Sequence, residues 1–313
     1  MVSRTSTPRM SWPRFWLGLW LFGLGLSYSN VIDLLSVLQP WFFAPALPLL
    51  LWAIPQRRRW LSVMAIFIGL IWLWLYAERW LPQPRPDTTP ALRLLSWNVA
   101  GWNLNSVDIL RVIDDEQPDL IALQEVDVGL GKPLQTALAS KYPYVEFRPA
   151  SGAAQPADLA LWSKWPFALI HPCAYWQCYR RAYRVQHPQQ PLILVNVHIE
   201  HSPIRWLRFE REREEAAIGQ MIADFGQTTE PVLLAGDFNT VEQQAGYAAL
   251  NTVWGDSWHE RGVGMGFSWP QRSWHPPIVR IDYIWHNAAI RPIQLETGAG
   301  VSDHRYLIGA FDF

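Results

Sequence analysis

The chain has 313 residues, 50% of them hydrophobic, with 20 tryptophans and a formal net charge of −1 at pH 7. Its length allows more than one folding unit, and this hydrophobic content is unusual for a purely soluble protein. Acidic residues outnumber basic ones after residue 90, which argues against a protein that binds duplex DNA by neutralising its phosphates. Charge alone does not exclude a phosphate-bearing substrate, because a divalent metal ion can supply local positive charge.

Apolar residues are concentrated in three segments of the amino-terminal third, at 15–28, 31–55 and 60–77. A membrane-spanning helix needs about 20 apolar residues, with about 17 as the lower limit. The third segment reaches that limit, and the first two reach it if they extend toward Val37 and Trp41. We therefore predict that residues 1–80 form a membrane anchor of three transmembrane helices. The alternatives are a signal peptide in the first segment, although no small-x-small cleavage pattern follows it, fewer than three spans, or a buried hairpin.

Basic residues predict the orientation of the anchor, since short cytoplasmic loops collect Lys and Arg. Arginines precede the first segment, and Arg57, Arg58 and Arg59 separate the second from the third. Three spans then place everything after Trp80 on the periplasmic or extracytoplasmic side of the inner or plasma membrane. Residues 81–90 are rich in proline and predict an extended linker.

The two cysteines follow that linker. Cys173 and Cys178 are the only cysteines of the chain. They can pair if the compartment is oxidising, and the alternative is two buried free thiols.

Residues 91–313 alternate between apolar runs of strand length and helical patterns. Strands are predicted at 92–97, 119–126, 157–163, 192–199, 232–236, 281–285 and 306–311. Helices are predicted at 105–117, behind a Ser106 cap, and at 132–142 and 204–225; the last has a buried stripe of Ala217, Ile218, Met221, Ile222 and Phe225. This pattern predicts an α/β catalytic domain at 91–313.

Most of these strands carry a carboxylate, amide or imidazole at one end, where ligands of open α/β sheets bind. The residues are Asn98, Glu125, His198, Asp237, Asn239, Asp282, Asp303 and His304. Taken one at a time, the two asparagines could be turn residues, Asp282 a strand-start cap and His198 a core histidine. Their joint occurrence at strand ends favours a functional site.

Six short motifs occur in order along this half: "SWNVAG", "DLIALQEV", "NVHIEHS", "LLAGDFNT", "RIDYIW" and "VSDHR". Together they resemble the endonuclease/exonuclease/phosphatase family of metal-dependent phosphoesterases, over residues 92–313. The resemblance implies a four-layered α/β sandwich of two mixed β-sheets flanked by helices. In this chain the transmembrane helices predicted from the apolar segments precede that sandwich. It also implies hydrolysis of a phosphate ester with Mg²⁺ or Mn²⁺ as cofactor.

The resemblance and the chemistry together suggest a role for each residue. Mg²⁺ prefers oxygen ligands, so Glu125, the amide carbonyl of Asn98 and Asp303, directly or through water, are the predicted metal ligands. Asp237 is predicted to activate the attacking water, with Asn239 bonded to the phosphate or to Asp237. His304 would contact the phosphate while Asp282 orients its ring, and His198 could be the general acid. The sequence does not decide which histidine acts as acid or base.

Three functions agree with this sequence. The first is a membrane-anchored, nuclease-like phosphodiesterase acting on a nucleic acid or nucleotide. The second is a phosphodiesterase of the sphingomyelinase type that cleaves phospholipids at the membrane surface, and the third is a non-enzymatic binding module. The predicted partners are the lipid bilayer and the phosphodiester substrate, with no obligate protein partner evident.

Overall fold

The computed structural model describes residues 20–23, 25, 37, 39–84, 86, 88–100, 105–147, 158–171, 179–199, 208–272 and 274–313. The chain divides into two compact units, Met1–Tyr76 and Ala77–Phe313. The second unit therefore includes the last residues of the predicted anchor and the whole predicted linker. Cys173 and Cys178, and most of the first predicted span, lie outside the described residues.

The first unit contains a 3-10 helix at Gln39–Phe43 and α-helices at Ala46–Ala53 and Arg59–Tyr76. Among the described residues, one helical stretch is long and apolar enough to cross a membrane, Arg59–Trp80, with 22 residues. In the second predicted span, the helix Ala46–Ala53 has only 8 residues, too few to cross a bilayer alone. Prolines explain why this helix is short: Pro45 is its N-cap and Pro55 follows its C-cap residue Ile54, and a proline in a helix interior removes a backbone hydrogen bond. The described residues therefore do not support three spans.

The second unit begins with a 3-10 helix at Ala77–Trp80 and contains twelve strands among its described residues. The strands are β1 (Leu92–Asn98), β2 (Leu120–Val126), β3 (Tyr144–Glu146), β4 (Asp158–Ser163), β5 (Phe167–His171), β6 (Arg180–Val185), β7 (Leu192–His198), β8 (Val232–Asp237), β9 (Gly255–Asp256), β10 (Asp282–His286), β11 (Arg291–Gly298) and β12 (Tyr306–Asp312). The helices are Ser106–Glu116, Val128–Leu138, Arg208–Phe225, Ala245–Asn251 and Ser257–Arg261.

The strands form two six-stranded mixed sheets. The order is β11-β12-β1-β2-β4-β3 in the first sheet and β5-β6-β7-β8-β10-β9 in the second. Each sheet has one parallel pair near its centre, β1 with β2 and β7 with β8. The prediction of two mixed sheets flanked by helices is confirmed.

Strand β1 shows how the apolar runs build the layers. Its residue Leu94 belongs to an inner core cluster that also contains Leu194 and Leu233 of the second sheet. Its next residue, Leu95, belongs to an outer cluster with Ile109 and other apolar residues of the flanking helices. Successive side chains of a strand point to opposite faces, so a strand covered on both faces needs an unbroken apolar run.

Two helix starts differ from the sequence prediction. Asn105, rather than Ser106, caps the first helix, and its side chain accepts a hydrogen bond from the backbone N–H of Asp108. The helix predicted from residue 132 begins at Val128, where the side chain of Asp127 accepts from the backbone N–H of Leu130. Asn and Asp are favoured caps because their side chains satisfy the first free N–H groups of a helix.

Candidate active site

The carboxyl ends of the two parallel strand pairs supply most of the predicted site residues. Asn98 ends β1, and Glu125 is the penultimate residue of β2. In the second sheet, His198 ends β7 opposite Asp237 at the end of β8. Asp282 begins β10 and pairs with Asp237 on the other side. The two sheets thus bring polar side chains from distant parts of the chain to one edge of the sandwich.

Unusual backbone conformations shape this edge. Glu125 and Asn239 have φ angles of 57° and 50°, a left-handed conformation that costs energy in residues with a side chain. Gly236, which precedes Asp237, has φ 145°, and a Cβ atom there would lie 1.9 Å from the carbonyl oxygen of Val197. Only glycine fits this close approach between β8 and β7.

The Asp237 carboxylate is buried and held by two asparagines. Its Oδ2 accepts from Asn98 Nδ2 at 3.1 Å and from Asn239 Nδ2 at 3.2 Å. Its Oδ1 accepts from the backbone N–H of Asn239 at 2.8 Å. Burial and the nearby Asp282 raise the pKa of Asp237 to about 6. The Asn98 contact joins the first sheet directly to the second.

His304 lies between two carboxylates. Its Nδ1 is 3.0 Å from Asp282 Oδ2, and its Nε2 is 3.8 Å from Asp237 Oδ2. Burial would lower the pKa of His304, but Asp282 and then Asp237 outweigh burial and raise it to about 10. The raised pKa favours the imidazolium form of His304, and the hydrogen bond to Asp282 fixes its ring.

Glu125 is the more open carboxylate of the site. Its Oε1 accepts from Asn98 Nδ2 at 2.9 Å and lies 3.5 Å from His198 Nε2. The Glu125 side chain keeps 32% of its surface exposed, whereas Asp237 keeps 2%. Glu125 is consequently the carboxylate best placed to meet a solvated ion or substrate.

Asp303 contacts a different structure, the tryptophan hairpin, which we define as residues 268–272 and 274–279. Trp269 and Val279 pair across this hairpin through backbone hydrogen bonds. Asp303 Oδ2 lies 3.4 Å from Trp269 Nε1 and 3.8 Å from an Arg272 nitrogen. The Trp269 ring centroid is 6.4 Å from that of His304. The hairpin is therefore next to the site.

Two serines that the sequence analysis missed hold the site in place. The Ser302 hydroxyl donates to the Asn98 carbonyl at 2.6 Å and accepts from the backbone N–H of His304 at 3.0 Å. The Ser268 hydroxyl accepts from the backbone N–H of Asp282 at 3.3 Å. Ser302 does stand in the "VSDHR" motif, but a serine in a loop carries no signal of what it will contact.

A buried amide pair connects the sheets beneath the site. Gln124 Nε2 donates to Asn196 Oδ1 at 2.7 Å, and Asn196 Nδ2 donates to the carbonyls of Leu123 and Ala160, each at 3.0 Å. Asn196 lies on the second sheet and its partners lie on the first. Since buried amides need partners, the pair fixes how the sheets stack under Glu125 and His198.

The structure also tests where a metal ion fits. In the described residues, Asp237, Asp282 and His304 offer ligand atoms within 4.8 Å of one another, which differs from the predicted ligands. In this group His304 Nδ1 is already bonded to Asp282 Oδ2 at 3.0 Å. The amide nitrogen of Asn98 faces Glu125, while its Oδ1 accepts from the backbone N–H of Ala100 at 3.0 Å. A carbonyl oxygen has a second lone pair, so a metal bond from Oδ1 remains available.

The sequence pattern of the Endonuclease/Exonuclease/phosphatase family matches residues 95–304. The chain belongs to this family. Its members are hydrolases that act on phosphoester bonds and generally use a divalent metal, which confirms the prediction of a hydrolase. No curated protein matches the sequence significantly.

Solved structures of the family share the fold of this chain. The endonuclease/exonuclease/phosphatase from Bacteroides vulgatus is 16% identical, with 72% of this chain and 100% of that chain covered and a TM-score of 0.56. D. rerio TDP2 complexed with single-strand DNA product is 18% identical, with 71% and 99% covered and a TM-score of 0.57. A mannosyl-6-phosphatase from Bacteroides thetaiotaomicron is 16% identical, with 71% and 100% covered and a TM-score of 0.53.

Proposed function

We propose that the protein is a membrane-anchored phosphodiesterase of the nuclease-like type that depends on Mg²⁺ or Mn²⁺. The observation that carries this proposal is the contact of Asn98 with both Glu125 and Asp237, next to the pair of His304 and Asp282. It places an open carboxylate, a buried carboxylate and an imidazolium around one position. Hydrolysis of a phosphodiester requires that the phosphate be neutralised, a water molecule oriented and the developing charge stabilised. These three groups can supply those effects.

Asp237 is the proposed general base. Asn98 and Asn239 hold its carboxylate, so its oxygens keep one orientation toward an attacking water. A pKa near 6 suits a group that must be ionised at neutral pH and still accept a proton. Both Nδ2 hydrogens of Asn239 are engaged, one by Asp237 and one by the carbonyl of Ile199, so Asn239 positions Asp237 rather than donating to the phosphate.

His304 is the proposed donor to the phosphate. Its Nδ1 is bonded to Asp282, so Nε2 is the nitrogen that faces the reacting group. As an imidazolium, it can donate to a phosphate oxygen and stabilise the negative charge that develops there. His198, which lies beside Glu125, is the remaining candidate for protonating the leaving oxygen.

Glu125 would hold the metal ion, with the side-chain amide oxygen Oδ1 of Asn98 as a second ligand and Asp303 as a further one. The donor set fits Mg²⁺, because all three groups offer hard oxygen atoms. When bound, the ion supplies positive charge that polarises the phosphate and stabilises the leaving oxygen. The exposed face of Glu125 leaves room for the water molecules that Mg²⁺ usually retains.

The tryptophan hairpin favours a substrate with aromatic bases over a phospholipid. Trp269 and Trp274 are 36% and 81% exposed, and the Arg272 side chain is 46% exposed. Exposed indoles can stack on bases, and arginine binds phosphate, so together they suit a single strand or a nucleotide. The acidic excess of this half of the chain makes a long duplex a poorer substrate.

The first unit is the proposed membrane anchor, and the occupant of its apolar surface is a lipid bilayer. The helix Arg59–Tyr76 exposes large apolar side chains along its length, including Val63, Phe67, Leu70 and Trp74, which are 50% or more exposed. An apolar surface of this extent is costly in water.

Arg57, Arg58 and Arg59 at the start of the helix favour a cytoplasmic start and an extracytoplasmic second unit. An alkaline phosphatase fusion after Phe313 should be active, whereas an inactive fusion would contradict this topology.

The full chain in detergent micelles can test the activity. We expect it to hydrolyse bis-nitrophenyl phosphate and single-stranded oligonucleotides, to lose activity in EDTA and to regain it with Mg²⁺ or Mn²⁺. Glu125→Gln should require a higher metal concentration, whereas Glu212→Gln, at an exposed helix position, should not. Full activity in EDTA would overturn the metal role. Cleavage of phospholipid vesicles without cleavage of oligonucleotides would favour the lipid substrate.

A further inference from the structure

The 3-10 turn Ala77–Trp80, which follows the apolar helix in sequence, is part of the catalytic unit. The Arg79 carbonyl accepts from the backbone N–H of Gly264 at 2.5 Å. A Cβ atom built at Gly264 would lie 3.5 Å from the Trp80 ring, an ordinary packing distance. The Arg79 side chain reaches Glu242 Oε2 at 2.5 Å. Backbone, ring and charge contacts therefore hold this turn against the rest of the second unit.

Glu242 belongs to a buried group of four charges, the support cluster, made of Arg79, Glu242, Asp256 and Arg280. Glu242 Oε1 lies 2.9 Å from Arg280, and Arg280 also pairs with Asp256. The side chains of Glu242, Asp256 and Arg280 are 9%, 1% and 3% exposed, and that of Arg79, at the edge of the group, is 20% exposed. His259 also faces the group, with its Nε2 3.3 Å from Glu242 Oε1 and 3.9 Å from Asp256 Oδ2. Two arginines thus face two acids, and removal of one partner from such a buried group leaves an uncompensated charge.

The support cluster flanks two catalytic loops. Glu242 follows Asn239 by three residues, and Arg280 precedes Asp282 by two. The Tyr283 hydroxyl lies within hydrogen-bond distance of two carbonyl oxygens, that of Thr240 at 3.1 Å and that of Arg280 at 2.9 Å, which share its one proton. The loop after β8 and the start of β10 are thereby joined to each other.

We propose that Arg79 is a positioning residue for the reaction, acting through Glu242 and Arg280 on the pair of Asp282 and His304. A shift of the Arg280 loop moves Asp282, because only one residue separates them, and Asp282 sets the His304 ring. The membrane-proximal turn would then be a required support of the catalytic centre. The effect on turnover rests on the proposed function, whereas the effect on the His304 ring does not.

Turnover of the full chain in micelles provides the first test. Arg79→Met keeps the apolar part of the side chain and removes its charge, and we expect kcat to fall about tenfold with KM changed by less than about twofold. Arg79→Lys, which keeps the charge without the guanidinium fork, should lower kcat by a few-fold. Arg111→Ala is the matched control, because Arg111 makes an exposed ion pair with Asp108. An unchanged kcat in Arg79→Met would overturn the proposal.

A charge-rescue variant shows whether the loss of kcat comes from the uncompensated charge or from general destabilisation of the fold. In Arg79→Met/Glu242→Gln the remaining Arg280 and Asp256 balance each other, so kcat should recover to within about threefold of the wild type. Equal losses in the single and double variants would contradict the proposal. If Arg79→Met does not fold, Arg79→Lys decides: a kcat lowered by a few-fold supports the role, and a wild-type kcat overturns it.

A spectroscopic readout does not depend on activity. In protein with ¹⁵N-labelled histidines, the proton that His304 Nδ1 shares with Asp282 should give a downfield signal assignable by its loss in His304→Gln. We expect that signal to broaden or shift in Arg79→Met, to recover in the double variant and to stay unchanged in Arg111→Ala. An unchanged signal in Arg79→Met would overturn the proposal, whether or not the wild type hydrolyses any tested substrate. A wild type that hydrolyses none of them would separately refute the proposed function.

Discussion

The second unit contains two groups of interacting charges that both adjoin the start of β10, and they differ in charge balance. The support cluster places two arginines against two acids. The site cluster, which we define as Glu125, Asp237, Asp282 and His304, places one imidazolium among three carboxylates. A balanced buried group can stabilise the fold, whereas an excess of negative charge costs stability until a cation or a proton offsets it.

The pKa shifts reflect this difference. Burial would raise the pKa of Glu242, but the hydrogen bond with His259 and the charges of Arg280 and Arg79 lower it well below its ordinary value. In the site cluster, burial and Asp282 raise the pKa of Asp237 to about 6. The support cluster thus favours the ionised form of Glu242, whereas the site cluster favours the protonated form of Asp237.

The largest expected effect comes from neutralising the site cluster at Asp237. Asp237→Asn should lower kcat by about 10²- to 10⁴-fold, because it removes the proposed general base. The metal-free variant should be as stable as the wild type at pH 7, or more so. The folded-state pKa of Asp237 exceeds its unfolded value, so its ionised form costs stability at a pH above about 6. Turnover and thermal unfolding in EDTA measure both effects, and a variant with lower Tm would contradict the comparison.

The sequence predicts the two mixed sheets and the sheet edge at which the candidate site residues meet. Asn98, Glu125, His198 and Asp237 each follow an apolar run, and parallel strands end at one edge, so strand ends alone suffice to gather them. The contact of Asn98 with Asp237 was not predictable, because it joins two sheets whose stacking depends on buried amides such as Asn196. A single asparagine within an apolar strand does not reveal its partner.

Strand β6 shows why some elements were missed. Its sequence, RRAYRV, does not read as a core strand, yet Arg180 and Arg181 are buried. Arg181 is paired with Glu146, and Arg180 with Asp224 of the long helix. Buried charges are tolerated only when paired, and partners 35 and 44 residues away in sequence cannot be recognised from the local pattern. Strands β5 and β11 were missed as well. Each lies at an edge of its sheet, where burial gives a weaker signal in the sequence.

Breaking the balance of the support cluster should have the largest effect on stability. Arg280→Met leaves Glu242 and Asp256 buried without their shared partner, and removal of one member of a buried ion pair costs about 3–5 kcal/mol. Chemical denaturation of the full chain in micelles, followed by the fluorescence of the buried tryptophans, measures this loss. Arg291→Ala is the control, because Arg291 is 50% exposed in its ion pair with Asp312 and should change stability by less than about 1 kcal/mol. Equal losses in the two variants would contradict the role of burial.

Acid should weaken the support cluster through Glu242, which faces Arg79, Arg280 and His259 and shares Arg280 with Asp256. Its folded pKa is below the unfolded value of about 4.3, so its contribution to stability is present above that pH and is lost as the pH falls below it. The unfolded state then binds the extra proton, and stability should fall by up to about 1.4 kcal/mol per pH unit. Glu242→Gln should be less stable at pH 7 and show a shallower decline between pH 5 and pH 3. Parallel declines in the two proteins would show that Glu242 does not contribute.

The smallest expected effect lies outside both clusters, at Trp274 of the tryptophan hairpin. Its side chain is 81% exposed, so Trp274→Ala should leave the Tm nearly unchanged, as surface substitutions usually do. If the ring stacks on a base, the KM for single-stranded oligonucleotides should rise by about 5- to 150-fold, since such stacking contributes about 1–3 kcal/mol per base. The KM for bis-nitrophenyl phosphate should change much less, and Trp274→Phe should retain much of the binding. A KM that rises only for phospholipid vesicles would instead assign the indole to the membrane interface, where tryptophan is also favoured.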